Sequence, residues 1–140
     1  MDPFNLQRFV DAQATVWEDV RAELGHARKR THWMWFIFPQ LAALGRSGTA
    51  KRYGISGADE AGAYLEHPLL GPRLIECCDL LLAAQGVPAN AVFGEVDAMK
   101  LRSCLTLFAT VSPDRTIFKS CLDRYFAGEG DQLTAELLAG

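Results

Sequence analysis

The sequence predicts a mainly α-helical protein: a single compact multi-helix domain over residues 1–140, with short irregular connectors. Apolar residues recur at spacings of three and four through most of the chain, which is the period of an amphipathic helix. Capping residues and Gly or Pro breaks separate these stretches, and no stretch alternates polar and apolar residues over a convincing strand length. No repeat or low-complexity linker divides the chain, so one domain is expected.

The first helical stretch begins at Asp2 and Pro3, because aspartate caps a helix and proline is tolerated at its first position. Apolar residues continue at helical spacing to Leu24, and Gly25 suits a helix C-terminus. This pattern fits one long helix or two helices joined near Gln13.

The stretch from Thr31 to Leu44 is ambiguous, because an uninterrupted apolar run fits a buried strand and a buried helical turn equally well. Pro39 disfavours the helical conformation at Phe38, so a break is expected there. Residues 45–48, Gly-Arg-Ser-Gly, then predict a loop.

The next helices have clearer boundaries. A cap at residues 56–58, followed by acidic residues, begins a helix that ends at His67 and Pro68. Gly71 and Pro72 begin another helix, which ends at Gly86.

The C-terminal third follows the same logic. Residues 87–94 form a connector with a short turn, and Asp97 is expected to cap a helix over residues 98–111. Residues 112–114 begin a helix that runs to Phe126, and Asp131 begins the last one.

The composition excludes several classes of protein. Hydrophobic residues make up 49% of the chain and charged residues 22%, which is ordinary for a soluble globular domain. An isoelectric point near 5.6 argues against nucleic-acid binding through bulk charge. No apolar run approaches the roughly 20 residues of a membrane span, and the N-terminus lacks a secretory signal, so we expect a cytoplasmic protein without a membrane partner.

No metal site and no cofactor are expected. The four cysteines form no Cys-x-x-Cys motif, and the three histidines are scattered, so we expect buried thiols in a reduced compartment. The cysteines are Cys77, Cys78, Cys104 and Cys121.

The charges are unevenly distributed, because no Asp or Glu occurs between Glu23 and Asp59. Six of the fourteen Lys and Arg residues lie in this acid-free span, which carries +6, and the other residues carry −9, giving the formal −3. The asymmetry indicates a place for an anion, either a small anionic metabolite or an acidic partner protein. The sequence makes no prediction of the oligomeric state.

The segment 31–41, THWMWFIFPQL, holds the central candidates for a site. Trp33 and Trp35 could stack a base on an indole face, or they could belong to the aromatic core. His32 could move a proton or be structural, and Gln40 could bind a base edge or the backbone.

Further candidates carry charge. Arg52, followed by Tyr53, could hold a phosphate or belong to an exposed basic turn. Arg73 stands in the first turn of a helix, where a cation is disfavoured, so it should have a carboxylate or a ligand anion as partner. Asp97 and Lys100 lie one helical turn apart and form either a surface ion pair or, in a pocket, a base and an anion holder.

Five blocks in order carry a family resemblance: DPFNLQRFVDAQ, HWMWFIFPQL, KRYGIS, YLEHPLLGPRL and FGEVDAMKLRSCLTLF. They resemble the bacterial family of domain of unknown function 1810 over nearly the whole chain. The resemblance implies a compact, mostly α-helical, single-domain protein and brings no established activity. Some members are labelled calpastatin, which does not fit a short, apolar, unrepeated chain.

A remote similarity to the NADAR-type superfamily, which handles NAD- and ADP-ribose-derived metabolites, implies a nucleotide-like ligand and hydrolysis of an N-glycosidic bond. The catalytic residues of that superfamily do not map onto this sequence position by position. From the candidate residues above, Trp33 or Trp35 would stack the base, Arg52 and Arg73 would hold the phosphates, and Asp97 or His32 would move the proton. The alternative is a non-catalytic protein-interaction module whose aromatic segment is structural core and whose basic span contacts an acidic partner.

Overall fold

The computed structural model describes residues 2–140 and forms ten α-helices in that range. The helices are α1 (Gln7–Ala14), α2 (Trp17–Gly25), α3 (Met34–Ile37), α4 (Gly48–Arg52), α5 (Ala58–Glu66), α6 (Leu70–Ala83), α7 (Ala89–Phe93), α8 (Glu95–Val111), α9 (Ile117–Phe126) and α10 (Gln132–Ala139). A 3₁₀ turn covers Ala42–Leu44, and an isolated parallel bridge joins Leu41 to Ile55. Within these residues no strand forms, which confirms the predicted fold class.

The longest helix, α8, lies at the centre of the fold. It packs against α5, α7, α9 and α10, while α6 joins α2, α5 and α9 around it. An aromatic chain connects these layers: Phe9 meets Tyr64 at 5.1 Å between ring centroids, Tyr64 meets Phe108 at 5.5 Å, and Phe108 meets Phe118 at 5.6 Å. All four rings are fully buried, so helices from both ends of the chain share one core.

The N-terminal helix begins later than the sequence predicts. The Asp2 carboxylate does cap it, accepting hydrogen bonds from the backbone N–H of Leu6 at 2.7 Å and of Gln7 at 2.9 Å. Asn5, however, has a left-handed backbone with φ of 53°, which interrupts the helical path, so Pro3 lies in a preceding turn. Of the two alternatives left open, two helices form, and they separate at residues 15–16.

The ambiguous central stretch forms one helical turn, α3, which ends at Ile37, and the break predicted at Phe38 before Pro39 is present. The loop predicted at residues 45–48 is partly wrong, because Gly48 begins α4. Ser47 explains the difference: its hydroxyl accepts a hydrogen bond from the backbone N–H of Ala50 at 3.1 Å and caps this short helix.

The predicted cap at Asp97 is also wrong. α8 begins at Glu95 after Gly94, whose φ of 80° turns the chain, and the Asp97 carboxylate pairs with lysines instead of with the helix N-terminus. Asp131 does cap α10, accepting from the backbone N–H of Thr134 at 2.9 Å. The helix predicted from residues 112–114 begins only at Ile117, because those residues form a turn.

The four cysteines are buried as free thiols, as the sequence predicts. Burial raises the pKa of the Cys77 and Cys104 thiols well above their usual range. No helix within residues 2–140 combines the length and the apolar character that crossing a membrane requires.

Arg8 connects the N-terminus to the middle of the chain. Its guanidinium pairs with the buried Glu60 carboxylate at 2.8 Å and donates to the backbone carbonyl groups of Phe4, Asn5, Arg52 and Gly54. These five bonds use every N–H of the guanidinium, so the role of Arg8 is structural.

Gly54 permits the close crossing at the Leu41–Ile55 bridge. A Cβ atom at this position would lie 2.4 Å from the Cα atom of Ala42, and backbone atoms cannot move aside cheaply. We expect Gly54→Ala to lower the free energy of unfolding by about 2 kcal/mol, measured by urea denaturation.

Gly62→Ala is the matched control, because a Cβ atom there meets nothing within 4 Å in the middle of α5. It should leave stability unchanged or raise it by up to about 1 kcal/mol. A Gly54→Ala protein as stable as the unchanged chain would contradict the close approach.

Candidate functional site

The acid-free span is organised by Glu23, a buried residue near the end of α2. Its carboxylate accepts hydrogen bonds from the backbone N–H groups of Arg30 at 2.6 Å and Thr31 at 2.9 Å, and from the Thr31 hydroxyl at 2.7 Å. The indole N–H of Trp33 donates a fourth at 3.0 Å. Burial on its own would raise the pKa of Glu23, but these donors together outweigh it and hold that pKa below its usual value.

Trp33 belongs to the core. Its exposed fraction is 0%, and its ring packs against Phe38 and Phe93 at centroid distances of 6.2 Å and 6.5 Å. With both faces covered and its N–H bonded to Glu23, the indole offers no surface to a ligand, so the stacking role does not fit Trp33.

A cluster of charges and one indole lies beside Trp33, and we name it the Asp97 cluster. Lys29 pairs with the Asp97 carboxylate at 2.9 Å, and Lys100 pairs with its other oxygen at 3.5 Å. The Lys100 ammonium lies 4.8 Å from the ring centroid of the half-buried Trp35, a cation–π contact. The structure therefore brings together Trp35, Asp97 and Lys100 of the predicted residues and adds Lys29.

The Asp97 cluster adjoins an open cleft of about 440 Å³, which we name the α8 cleft. Lys100 belongs to both, so the predicted residues Lys100 and Gln40 meet in this cleft. The cleft lies between α8, the 3₁₀ turn and the start of α10. Its other lining residues are Leu44, Arg46, Val96, Met99, Ser103, Asp131 and Leu133.

The α8 cleft has a net positive character. Arg46 forms no ion pair with any carboxylate of residues 2–140, and Lys100 shares its single partner with Lys29. The only lining carboxylate, Asp131, accepts hydrogen bonds at one of its oxygens from the N–H of Thr134 at 2.9 Å and from the Thr134 hydroxyl at 2.6 Å. The side chains that line the cleft therefore carry two positive charges and one negative charge, which favours an anionic group.

The rim of the cleft is apolar and exposed. Val96 and Met99 are each 67% exposed, and Leu133 is 52% exposed. Leu137, one turn further along α10, is 41% exposed and lines a different cleft, beside Leu41 and Ile55. These four are the large apolar side chains that are exposed in the described part of the chain. Sequence reasoning missed them, because α8 carries apolar residues on every side and its spacing alone does not say which side is outward.

Arg52 and Tyr53 lie elsewhere. They line a second cleft of about 390 Å³ together with Asn5, Arg8, Asp11 and Ala12. The guanidinium of Arg8 is already saturated, and the ring of Tyr53 packs on Phe9 and Phe36 at 5.9 Å and 5.2 Å. The Arg52 guanidinium is exposed and lies 5.6 Å from the ring centroid of Tyr53, and it forms no ion pair within residues 2–140.

Arg73 and His32 are separate again. Arg73 donates to the side-chain oxygen of the buried Gln13 at 3.3 Å, and its guanidinium lies 4.9 Å from the ring centroid of Trp17. Among residues 2–140 Arg73 forms no ion pair with a carboxylate, and its contacts are the amide oxygen of Gln13 and the ring of Trp17. His32 is exposed, and its ring makes no hydrogen bond within the described chain. The predicted site residues therefore do not form one cleft.

A family model described as a protein of unknown function (DUF1810) matches residues 3–138. Among solved structures, the chain is similar to the conserved hypothetical protein Rv1873 from Mycobacterium tuberculosis, whose crystal structure was determined at 1.38 Å. The two sequences are 51% identical, 99% of each chain is covered, and the TM-score is 0.98. No curated protein matches the chain, and neither match provides a link to proteins that handle NAD or ADP-ribose.

The bonds to Glu23 predict a pH-dependent contribution to stability. A pKa that is lower in the folded chain than in the unfolded chain stabilises the fold at neutral pH, and this stabilisation is lost as the pH falls through the unfolded and then the folded value. Glu23→Gln should therefore lower the free energy of unfolding by about 2 kcal/mol at neutral pH. The difference from the unchanged chain should shrink on acidification toward pH ~3.

Urea denaturation at several pH values measures both effects. Glu18→Gln is the control, because the Glu18 side chain is 82% exposed and its ion pair is on the surface. It should change the free energy of unfolding by less than about 0.5 kcal/mol. A pH-independent difference for Glu23→Gln would argue against a buried ionised carboxylate.

The Asp97 cluster predicts a role in stability. The Lys29 side chain is only 7% exposed, so removing the charge of Asp97 leaves a buried ammonium group without its counter-charge. We expect Asp97→Asn to lower the free energy of unfolding by about 2 kcal/mol, reduced from the full effect of a buried pair because Asp97 itself is 21% exposed.

Thermal or urea denaturation measures this change. Asp123→Asn, which breaks the exposed pair with Lys119, should cost less than about 0.5 kcal/mol. Equal effects of the two substitutions would show that the cluster contributes no more than a surface pair.

Proposed function

We propose that this chain, which belongs to the DUF1810 family of proteins of unknown function, is a non-catalytic module that binds an acidic and apolar segment of a partner protein in the α8 cleft. One observation carries the proposal. Three of the four exposed large apolar side chains of the described chain, Val96, Met99 and Leu133, line this cleft together with Arg46 and Lys100. Exposed apolar patches rimmed by charge are typical of protein–protein contact sites.

The shape of the cleft favours a chain segment over a small molecule. Small-molecule pockets cover 70–90% of their ligand, roughly, and their lining side chains are mostly buried. Val96 and Met99 are instead two-thirds exposed and stand out from α8 one turn apart. A segment lying along the groove could cover both, and the flexible side chain of Met99 adapts to differing partners.

Charge complementarity defines the partner. Arg46 and Lys100 flank the apolar residues, and the carboxylate of Asp131 caps α10 by accepting hydrogen bonds from Thr134. A matching segment therefore carries apolar side chains at helical spacing and at least one carboxylate that pairs with Arg46 or Lys100. The Asp97 carboxylate pairs with Lys29 and Lys100 and so holds the Lys100 ammonium at the edge of the cleft.

A small anionic ligand of nucleotide type is the second candidate. The cleft volume of about 440 Å³ is large enough for one, and Gln40, Arg46 and Lys100 converge on it. Lys100 and Arg46 would bind phosphate groups, and the cation–π contact with Trp35 would position the Lys100 ammonium. Cleavage of an N-glycosidic bond would further require Asp97 to give up one of its lysines.

A displayed library of random 16-residue peptides, selected on the immobilised full chain, tests the proposal. Enriched peptides should combine apolar residues at helical spacing with Asp or Glu. Met99→Asp should weaken the best peptide at least about tenfold, because it places a charge in the apolar contact. Arg46→Glu should weaken it similarly, and replacing the paired peptide carboxylate with Lys should restore binding to Arg46→Glu.

Ala91→Asp is the control, since Ala91 is exposed on α7 outside the cleft lining, and it should leave peptide binding unchanged. Peptides without acidic residues, or equal binding to Met99→Asp, would contradict the proposal. If light scattering shows a dimer that Met99→Asp dissociates, the occupant of the α8 cleft is a second copy of this chain. A rise in melting temperature with ADP-ribose that Lys100→Ala removes would favour the second candidate.

A further inference from the structure

A separate cleft of about 390 Å³ lies at the turn that follows α2. Its lining residues are Ala22, Glu23, His26, Arg28 and Arg30, none of which lines the α8 cleft. The Glu23 carboxylate is occupied by four donors. The polar side-chain groups in this cleft that remain available to a ligand are therefore the imidazole of His26 and the guanidinium groups of Arg28 and Arg30.

The backbone of this segment is fixed at three successive residues. The N–H of Arg28 donates to the Glu23 carbonyl at 2.9 Å, that of Lys29 to the Val92 carbonyl at 2.8 Å, and that of Arg30 to the Glu23 carboxylate at 2.6 Å. Between the two arginines, Lys29 turns inward to its ion pair with a side chain only 7% exposed. Arg28 and Arg30 are both exposed and line the same cleft.

The two guanidinium groups have no partner of their own. Within residues 2–140, neither Arg28 nor Arg30 forms an ion pair, and neither side chain makes a hydrogen bond. Two cations that line one cleft repel each other, and an anion bound between them relieves that repulsion.

His26 adds a third group with a defined orientation. Its Nδ1 atom lies 2.8 Å from the carbonyl oxygen of Ala22, and a carbonyl oxygen can only accept. Nδ1 therefore carries the hydrogen, and Nε2, which has no bonding partner within the described chain, donates to an anion in the imidazolium form.

We propose that this cleft is a binding site for a phosphate monoester dianion, held by the guanidinium forks of Arg28 and Arg30 with His26 at its side. A planar guanidinium group can donate two parallel hydrogen bonds to a pair of phosphate oxygens, whereas the ammonium group of lysine acts as a point charge. A phosphorylated metabolite and a phosphorylated side chain of another protein present the same group. The shared chemistry is the phosphate monoester.

Titration of the isotope-labelled full chain with phenyl phosphate at low ionic strength, followed by NMR, tests the site. The His26 ring signals and the Arg28 and Arg30 side-chain N–H signals should shift saturably. Arg28→Ala and Arg30→Ala should each weaken binding about tenfold, the double substitution should abolish it, and Arg28→Lys should recover only part of the loss. Because neither side chain bonds within the fold, all these variants should keep the melting temperature of the unchanged chain.

Arg52→Ala is the matched control, because Arg52 is another exposed arginine without a carboxylate partner and lies in a different cleft. It should leave phenyl phosphate binding unchanged. Equal weakening by Arg52→Ala, shifts that do not saturate, or shifts that spare His26 would overturn the proposal and indicate diffuse charge attraction. Ribose 5-phosphate and a phosphoserine hexapeptide distinguish the two sources of the phosphate monoester. Tighter binding of ribose 5-phosphate supports a metabolite, and tighter binding of the hexapeptide supports a phosphorylated partner protein.

Discussion

The arrangement of the acid-free span depends on one buried carboxylate, that of Glu23. A charge in the protein interior is tolerated only when hydrogen-bond donors replace the water it has lost, and four donors from residues 30–33 do so here. This requirement fixes the path of the chain after α2. It turns Trp33 and Lys29 into the interior and leaves Arg28 and Arg30 outside. The exposed side chains of Arg28 and Arg30 are thereby separated from the buried aromatic segment, whereas Lys29 stays with it, 5.0 Å from the ring centroid of Trp33.

That separation gives the molecule two surfaces of different chemistry. The face formed by α8 and α10 combines apolar side chains with two cations, which suits a contact with another chain. The turn after α2 instead presents two exposed guanidinium groups and an imidazole around a separate cleft. The Asp97 cluster lies behind the first surface and holds Lys100 at its edge, so α8 and the segment that follows α2 are connected through charge.

The fold class and the order of the helices could be predicted because capping and apolar spacing act locally along the chain. The helix start at Gln7 depends on the left-handed backbone of Asn5, and the extra helix α4 depends on the hydroxyl contact of Ser47. Neither feature produces a clear pattern in the sequence. The site could be predicted only in part. The pairing of Asp97 with Lys100 follows from helical spacing, but its second partner, Lys29, comes from a distant segment that no local pattern connects to α8.

The four cysteines have a consequence for the behaviour of the chain in solution. Each thiol is buried, and burial holds Cys77 and Cys104 in the unreactive protonated form. Alkylating reagents can therefore modify these sulfur atoms only in molecules whose helices have come apart. The rate at which the native protein is alkylated would then report how often its interior opens, with no label introduced.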